Sequence, residues 1–136
     1  MGEHAELAAR IDELWQGGDL AAADELYSED FAADGQRVGP EGVKAMIQGL
    51  RAVFSEMTWE LKDYIAHGER FVVRFEQSGR HTGTWNSPIG PLAATGRHFT
   101  VSGIEIFRVA GGRAVEAWVQ YDMLSLLKQL GAIDSS

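Results

Sequence analysis

The sequence contains no cysteine and no long apolar run, and each absence excludes a class of protein. Without cysteine, the chain has no disulfide, no thiolate nucleophile and no cysteine-ligated zinc site. No apolar stretch approaches the roughly 20 residues that span a membrane. The first residues show neither the basic start nor the apolar run of a secretory signal. We therefore expect a cytoplasmic protein with no membrane association.

Positive charge is also scarce. The sequence has 12 Lys and Arg against 20 Asp and Glu, which gives a formal net charge of −8. Because such a surface repels a phosphate backbone, we do not expect nucleic acid as a partner. Phosphate-binding, metal-binding and serine-nucleophile motifs are absent, and four scattered His residues do not form a metal-site pattern. We expect chemistry on carboxylates and amides, with no cofactor and no metal.

The order of the patterns predicts one α+β domain over residues 1–136. Apolar residues recur at helical spacing over 7–15, 20–26, 43–54 and 123–130. Alternation predicts two hairpins, Trp59–Ala66 with Glu69–Arg80 and His98–Val109 with Arg113–Asp122. Residues 28–39 are expected to form a loop, and the glycine-rich segment 83–96 a flexible rim or lid. The helices should cover one face of a mostly antiparallel sheet.

The turn at Gly111-Gly112 predicts the register of the second hairpin, with Phe107 opposite Glu116. Strand alternation then places seven residues on one face of the sheet, namely Val101, Gly103, Glu105, Phe107, Trp118, Gln120 and Asp122. The other face receives Ile104, Ile106, Val119 and Tyr121. One face would cover a cavity, and the other is a candidate interface for a homodimer or homotetramer. A slip of one residue would invert the assignment.

Asp122 is the leading candidate for a working carboxylate. Aromatic and apolar neighbours would raise its pKa toward a value useful for general acid/base catalysis. On the same face, Gln120 is placed to hydrogen-bond a substrate carbonyl, and Gly103 opposite it leaves space for a ligand. The alternative is that Asp122 only caps the C-terminal helix, since it directly precedes Met123.

Several other residues are candidates for the same cavity. His81 continues the strand parity of Phe75, with an ordinary surface contact as the alternative. Asp34 would form a coupled acid/base pair if it faced Asp122, although acidic loop residues are mostly turn formers. Glu105 also has inward parity, for which edge exposure or pairing with Arg97 is the favoured explanation. Further candidate substrate-binding residues are aromatic: Trp15, Phe75, Trp85, Phe107 and Trp118.

A set of short segments occurs in a recognisable order along the chain: Leu26-Tyr27-Ser28-Glu29-Asp30-Phe31, Gly39-Pro40-Glu41-Gly42-Val43-Lys44, His81-Thr82-Gly83, Thr95-Gly96-Arg97, Gly103-Ile104-Glu105-Ile106-Phe107-Arg108, Val115-Glu116-Ala117-Trp118 through Asp122, Leu126-Leu127 and Gln129-Leu130-Gly131. Together these segments resemble the SnoaL-like polyketide cyclase family, which belongs to the nuclear-transport-factor-two-like superfamily. The resemblance covers roughly residues 5–131. Two departures from the family pattern are Asp34, where many relatives have His or Asn, and the loop from Trp85 to Pro91.

The resemblance implies a cone-shaped α+β barrel, with a curved sheet wrapped by the N-terminal helices around a deep pocket. It implies a cofactor-independent cyclase that closes a ring of a polyketide-like or aromatic β-carbonyl compound by aldol chemistry. The family's acid/base aspartate falls on Asp122. One alternative is an epoxide hydrolase-like or isomerase-like reaction that uses Asp34, Arg97 and Asp122. Another is a module that binds a hydrophobic small molecule without catalysis.

Overall fold

Four α-helices and eight strands occur within residues 2–134, which are the residues that the computed structural model describes. The helices are α1 (Ala5–Trp15), α2 (Ala23–Leu26), α3 (Gly39–Val53) and α4 (Met123–Gln129). The strands are β1 (Tyr27–Ala33), β2 (Gln36–Arg37), β3 (Phe54–His67), β4 (Arg70–His81), β5 (Trp85–Ser87), β6 (Gly90–Leu92), β7 (His98–Ala110) and β8 (Arg113–Tyr121). A 3₁₀ turn at Leu20–Ala22 precedes α2, and the Asp19 side chain caps it.

Six strands form one curved sheet in the order β2-β1-β8-β7-β4-β3. All neighbouring pairs are antiparallel except β1 and β8, which are parallel. Interruptions in the β3–β4 and β7–β8 ladders add local bends of the kind that curve a sheet. The predicted α+β cone with a mostly antiparallel sheet is confirmed, and the sheet is not closed into a barrel.

Helices α1 and α3 supply much of the core that faces the sheet. Each carries its buried residues at helical spacing, Ala8, Ile11 and Leu14 on α1 and Val43 and Ile47 on α3. They pack in one cluster with residues of the sheet that include Phe71 and Phe107. A second cluster lies under α4, where Leu126 and Leu130 pack with Phe54, Phe99 and Val101. The two clusters hold the helices over one face and one end of the sheet.

Residues 28–39 are not the loop that the sequence predicts. They contain most of β1 and all of β2, and β1 lies between β2 and β8 in the sheet. The alternation that reveals a strand is missing here, because only Tyr27 and Phe31 of β1 are buried and the register shifts between Tyr27 and Ala32. Strand pairing between distant segments therefore determines this part of the fold.

The predicted register of the β7–β8 hairpin is wrong beyond its first two pairs. Next to the turn, Val109 lies opposite Ala114 as expected, but Phe107 lies opposite Ala117 and not opposite Glu116. An extra residue in β8, Val115, forms a bulge that shifts the register by one. The strand β7 keeps its predicted orientation, whereas every side chain of β8 beyond the bulge changes face.

Candidate active site

A cavity of about 870 Å³ lies between the helices and the concave face of the sheet. This volume falls within the range of natural small-molecule sites. Its walls are rich in aromatic side chains, contributed by Trp15, Tyr27, Phe31, Phe54, Trp59, Tyr64, Phe71, Phe75, Trp85, Phe107 and Tyr121. The cavity thus offers flat apolar surface for a ring-containing ligand.

Three carboxylates line this cavity, those of Asp12, Asp34 and Glu105, and the last two lie beside the strand β8. Glu105 lies in the middle of β7, directly opposite Val119 of β8. Asp34 follows β1 and has a left-handed backbone, with φ 49°. Its backbone N–H donates to the Ala117 carbonyl at 2.9 Å, and its Oδ1 accepts from the Val119 N–H at 3.3 Å. The two acidic residues therefore flank the same β8 residue, one on each side.

The environment of Glu105 disfavours its charged form. Burial is the larger cause and the negative charge of Asp34 is the second, and together they raise the pKa of Glu105 from 4.5 to about 8. A carboxyl group with this pKa exchanges protons near neutral pH, which is the property that general acid/base catalysis requires. Glu105 and Asp34 are the acidic pair of the cavity.

Tyr27 brings a phenol into the same cavity. Its side chain is 2 % exposed, and its hydroxyl oxygen accepts a hydrogen bond from the Trp15 indole Nε1 at 2.9 Å. Burial raises the pKa of Tyr27 above its usual value, and the charge of Glu105 raises it further. Burial also raises the pKa of Tyr121, a second phenol of the cavity wall. Both groups stay protonated at neutral pH and can donate hydrogen bonds.

The charged residues of the cavity wall are all acidic. They are Asp12, Asp34 and Glu105, and none of the described lining residues is Lys, Arg or His. An anionic ligand would meet repulsion and no counter-charge in this space. The cavity is therefore suited to an uncharged ligand, or to one with a positive group.

Five of the predicted site residues line the cavity, and Asp122 does not. Asp34, Trp15, Phe75, Trp85 and Phe107 are in its wall. Asp122 is exposed at the N-terminus of α4, where its Oδ1 accepts from the Ser125 N–H at 3.0 Å. The assignment of Asp122 to the inner face is wrong because of the bulge in β8. The structure instead shows the helix cap that the sequence left open as the alternative.

Trp118 and Gln120 lie on the outer face of the sheet, and their predicted place in the cavity is wrong for the same reason. Trp118 pairs with Ile106 and Gln120 with Ile104, and both of these isoleucines are exposed. The Arg70 guanidinium lies over the Trp118 ring, 5.8 Å from its centroid. The inner positions of β8 belong to Ala117, Val119 and Tyr121, all of which line the cavity.

Gly103 and His81 are buried but do not line the cavity. A side chain at Gly103 would meet the Phe75 ring at 2.5 Å, so an aromatic ring fills the space that was predicted for a ligand. His81 is fully buried, with its Nδ1 accepting from the Thr95 N–H at 3.3 Å and lying 3.1 Å from the Thr95 hydroxyl. Its ring packs against Phe54, with 5.7 Å between centroids. The structure thus places His81 in the core beside Phe54.

Glu105 and Tyr27 are the site residues that the sequence reasoning did not select. The inward parity of Glu105 is a correct signal, although edge exposure or pairing with Arg97 is the explanation that the sequence favours. The Arg97 guanidinium lies against Gly131, near the end of α4. Tyr27 falls between the helix predicted over 20–26 and the loop predicted over 28–39. Since it belongs to no periodic pattern, the sequence gives no sign that it is buried. Once β1 is known to pair with β8, both residues can be assigned to the wall of one cavity.

Two kinds of feature are absent from the described residues, a cluster of metal ligands and a membrane-spanning helix. Residues 2–134 contain no group of three or more His, Cys, Asp or Glu side chains arranged to hold a metal ion. No helix among these residues has the length and apolar character needed to cross a membrane.

Comparison with known proteins places this cone and cavity in a family. The family model for SnoaL-like polyketide cyclases matches residues 5–130, and the chain belongs to that family. Among solved structures, TsrD from Streptomyces laurentii is 28% identical with a TM-score of 0.83, and the alignment covers 94% of each chain. IdmH from Streptomyces antibioticus, a proposed polyketide cyclase, is 27% identical with a TM-score of 0.81, over 96% of this chain and 99% of IdmH. No curated protein sequence matches the chain.

Proposed function

We propose that the protein is a cofactor-independent cyclase of a polyketide-like or aromatic β-carbonyl compound, with Glu105 and Asp34 as its acid/base pair. The observation that carries this proposal is the position of Glu105, a carboxyl group inside an aromatic cavity whose pKa is raised to about 8. Membership in the SnoaL-like polyketide cyclase family supports the reaction class. We propose this pair in place of Asp122, because Asp122 caps α4 whereas the side chains of Glu105 and Asp34 line the cavity.

A single carboxyl group can serve both proton transfers of such a reaction. In its ionised form, Glu105 removes a proton from the carbon between two carbonyl groups, and an enolate forms. The enolate carbon then attacks a second carbonyl, a carbon–carbon bond closes the ring, and the new alkoxide takes the proton back from Glu105. With a pKa of about 8, Glu105 is a stronger base than an ordinary carboxylate. The reaction consumes no oxidant, reductant or water.

The cavity walls supply orientation and select the ligand by charge. Stacked aromatic surfaces, such as Phe71 against Phe107 at 4.7 Å between centroids, favour flat ring systems. Holding a flexible chain folded brings its two reacting carbons together and lowers the entropic part of the barrier. Because the charged residues in the described wall are acidic, we propose an uncharged substrate, with any carboxyl group masked as an ester or amide.

Proton exchange at carbon tests the acid/base proposal without knowledge of the natural substrate. The probe is 2-tetralone, an uncharged bicyclic ketone, in deuterated buffer at neutral pH, with α-deuteration followed by proton NMR. Wild-type protein should accelerate the exchange, and Glu105→Gln should lower the catalysed rate by about a hundredfold or more. The matched control is Glu69→Gln, an exposed glutamate at the β3–β4 turn. Equal rates for wild type and Glu105→Gln would contradict the proposed role.

One observation favours a non-catalytic binding module as the second candidate. The family's acid/base position, Asp122, is occupied by a carboxylate that is engaged in a helix cap and is directed away from the cavity. Tight binding of 2-tetralone without any acceleration of its exchange would support this candidate. The epoxide hydrolase alternative has no such support, because the Arg97 guanidinium lies against Gly131 and not between Asp34 and Asp122.

The outer face of the sheet supports the proposal of a homodimer. One apolar row crosses four strands, since Ile65 pairs with Val72, Val72 with Ile106, and Ile106 with Trp118. Ile65 is 65% exposed and Ile106 is 37% exposed. Two copies related by a twofold axis could bury the two rows against each other, which is the symmetric contact that most homodimers use.

A further inference from the structure

The Tyr27 hydroxyl accepts a hydrogen bond within the described part of the protein but does not donate one there. A phenol can accept hydrogen bonds and donate one. The Trp15 indole N–H donates to the phenol oxygen at 2.9 Å, which uses an acceptor site. Within residues 2–134, the structure shows no acceptor for the phenol hydrogen. Since the side chain lines the cavity, this donor is available to a ligand there.

The Tyr27 phenol lies in the same part of the cavity as the carboxyl group of Glu105. Tyr27 packs in one core cluster with Phe107, which lies two residues from Glu105 on the inner face of β7, and all three residues line the cavity. In agreement with this placement, the charge of Glu105 contributes to the raised pKa of Tyr27. A carbonyl oxygen bound at Tyr27 would hold its α-carbon in the part of the cavity that Glu105 faces. Removal of the α-proton places negative charge on that oxygen, where a donor that is already fixed in position is most stabilising.

We propose that Tyr27 is the hydrogen-bond donor to the substrate's enolate oxygen, and that Trp15 is the residue that positions it. This inference rests on the proposed function and adds a named residue to it. Trp15 can only donate, so its bond sets the orientation of the phenol oxygen and leaves the hydrogen free for the ligand. The same bond polarises the phenol and makes it a better donor.

The packing around the pair holds the phenol in a defined orientation. Tyr27 contacts the edge of Phe31 at 4.7 Å between ring centroids, and Trp15 contacts Trp59 at 6.3 Å. The backbone of Tyr27 is fixed by its pairing with Ala114 of β8. A donor that is already oriented needs no reorganisation when charge develops on the substrate. In this respect, Tyr27 differs from a flexible surface hydroxyl.

Two ligands of matched shape test the donor directly by equilibrium dialysis. 2-Acetylnaphthalene offers a carbonyl acceptor and no donor, and 2-isopropylnaphthalene has nearly the same shape without oxygen. The measured quantity is the ratio of their two affinities. Tyr27→Phe should lower this ratio about fivefold, which is the net effect of one hydrogen bond. The matched control is Tyr64→Phe, because the Tyr64 hydroxyl of the same cavity already donates to the Glu3 carbonyl.

The Trp15→Phe variant tests the positioning role and keeps Tyr27 in place. It should lower the affinity ratio by a smaller factor, and in the Tyr27→Phe background it should cause no further fall. A purely structural role of Trp15 would change both affinities equally and leave the ratio unaltered, which would overturn the positioning role. The donor role is overturned if Tyr27→Phe leaves the ratio at the wild-type value, or lowers it no more than Tyr64→Phe does.

The exchange assay with 2-tetralone separates failure of this inference from failure of the proposed function. We expect Tyr27→Phe to slow the catalysed exchange about tenfold or more, since the donor acts on the charged oxygen. If Glu105→Gln lowers the exchange rate and Tyr27→Phe does not change it, the acid/base role of Glu105 is supported and the enolate role of Tyr27 is overturned. Absence of exchange in the wild type would overturn the reaction for both residues, whatever the affinity ratio shows.

Discussion

Replacing Glu105 by Gln should have opposite effects on stability and on catalysis. The folded protein holds a proton on Glu105 up to a pKa of about 8, whereas an unfolded glutamate releases it near 4.5. Between these values the folded state binds more protons than the unfolded state, so the free energy of unfolding falls as the pH rises. The full difference in pKa corresponds to about 5 kcal/mol at about 1.4 kcal/mol per unit. Because Glu105 is only partly buried, solvent screening reduces this energy, and we expect about 2 kcal/mol.

Urea denaturation of wild type and Glu105→Gln at pH 5, 7 and 9 measures this difference. At pH 5 the two proteins should be similar, because Glu105 is then protonated and resembles the amide. At pH 9 the variant should be the more stable protein by about 2 kcal/mol, with an unchanged dependence on urea concentration. The control Glu69→Gln should follow the wild type at every pH. Parallel pH profiles for wild type and Glu105→Gln would refute the assignment of a raised pKa to this residue.

Three further variants test separate parts of the structure. Asp34→Asn removes the charge that helps to raise the pKa of Glu105, so the rise of the 2-tetralone exchange rate with pH should shift to lower pH; an unshifted profile would show that the two carboxyl groups are not coupled. Asp122→Asn should keep the wild-type exchange rate and thermal midpoint, because Asn also caps helices; a loss of exchange with the fold intact would return the acid/base role to Asp122. Ile106→Glu should convert a dimer to a monomer in sedimentation velocity, and an unchanged sedimentation coefficient would contradict an interface on the outer face.

Much of the fold follows from the sequence because its long elements carry strong periodic signals. Helices α1 and α3 show apolar residues at helical spacing, and the long strands show alternation beside recognisable turns. The strand β1 carries no such signal, since its pairing partner β8 lies about 85 residues further along the chain. Contacts at this distance depend on the whole sheet, and no local pattern reports them. For this reason, the sequence gives no sign that Tyr27 lines the cavity, and it offers Asp34 only as a candidate on a loop.

A bulge of one residue decides which acidic side chain faces the cavity. The strand β7 has no irregularity from Gly103 to Arg108, so the inward parity of Glu105 could be predicted correctly from alternation. In β8 the extra residue Val115 reverses the parity, and the turn sequence gives no sign of it. Parity counted away from a turn is therefore reliable only along a strand without a bulge. An ionisable residue with inward parity on such a strand, as Glu105 has, is a stronger site candidate than a residue at a strand end. Asp122 is at a strand end, where its side chain accepts a hydrogen bond from a backbone N–H in the first turn of α4.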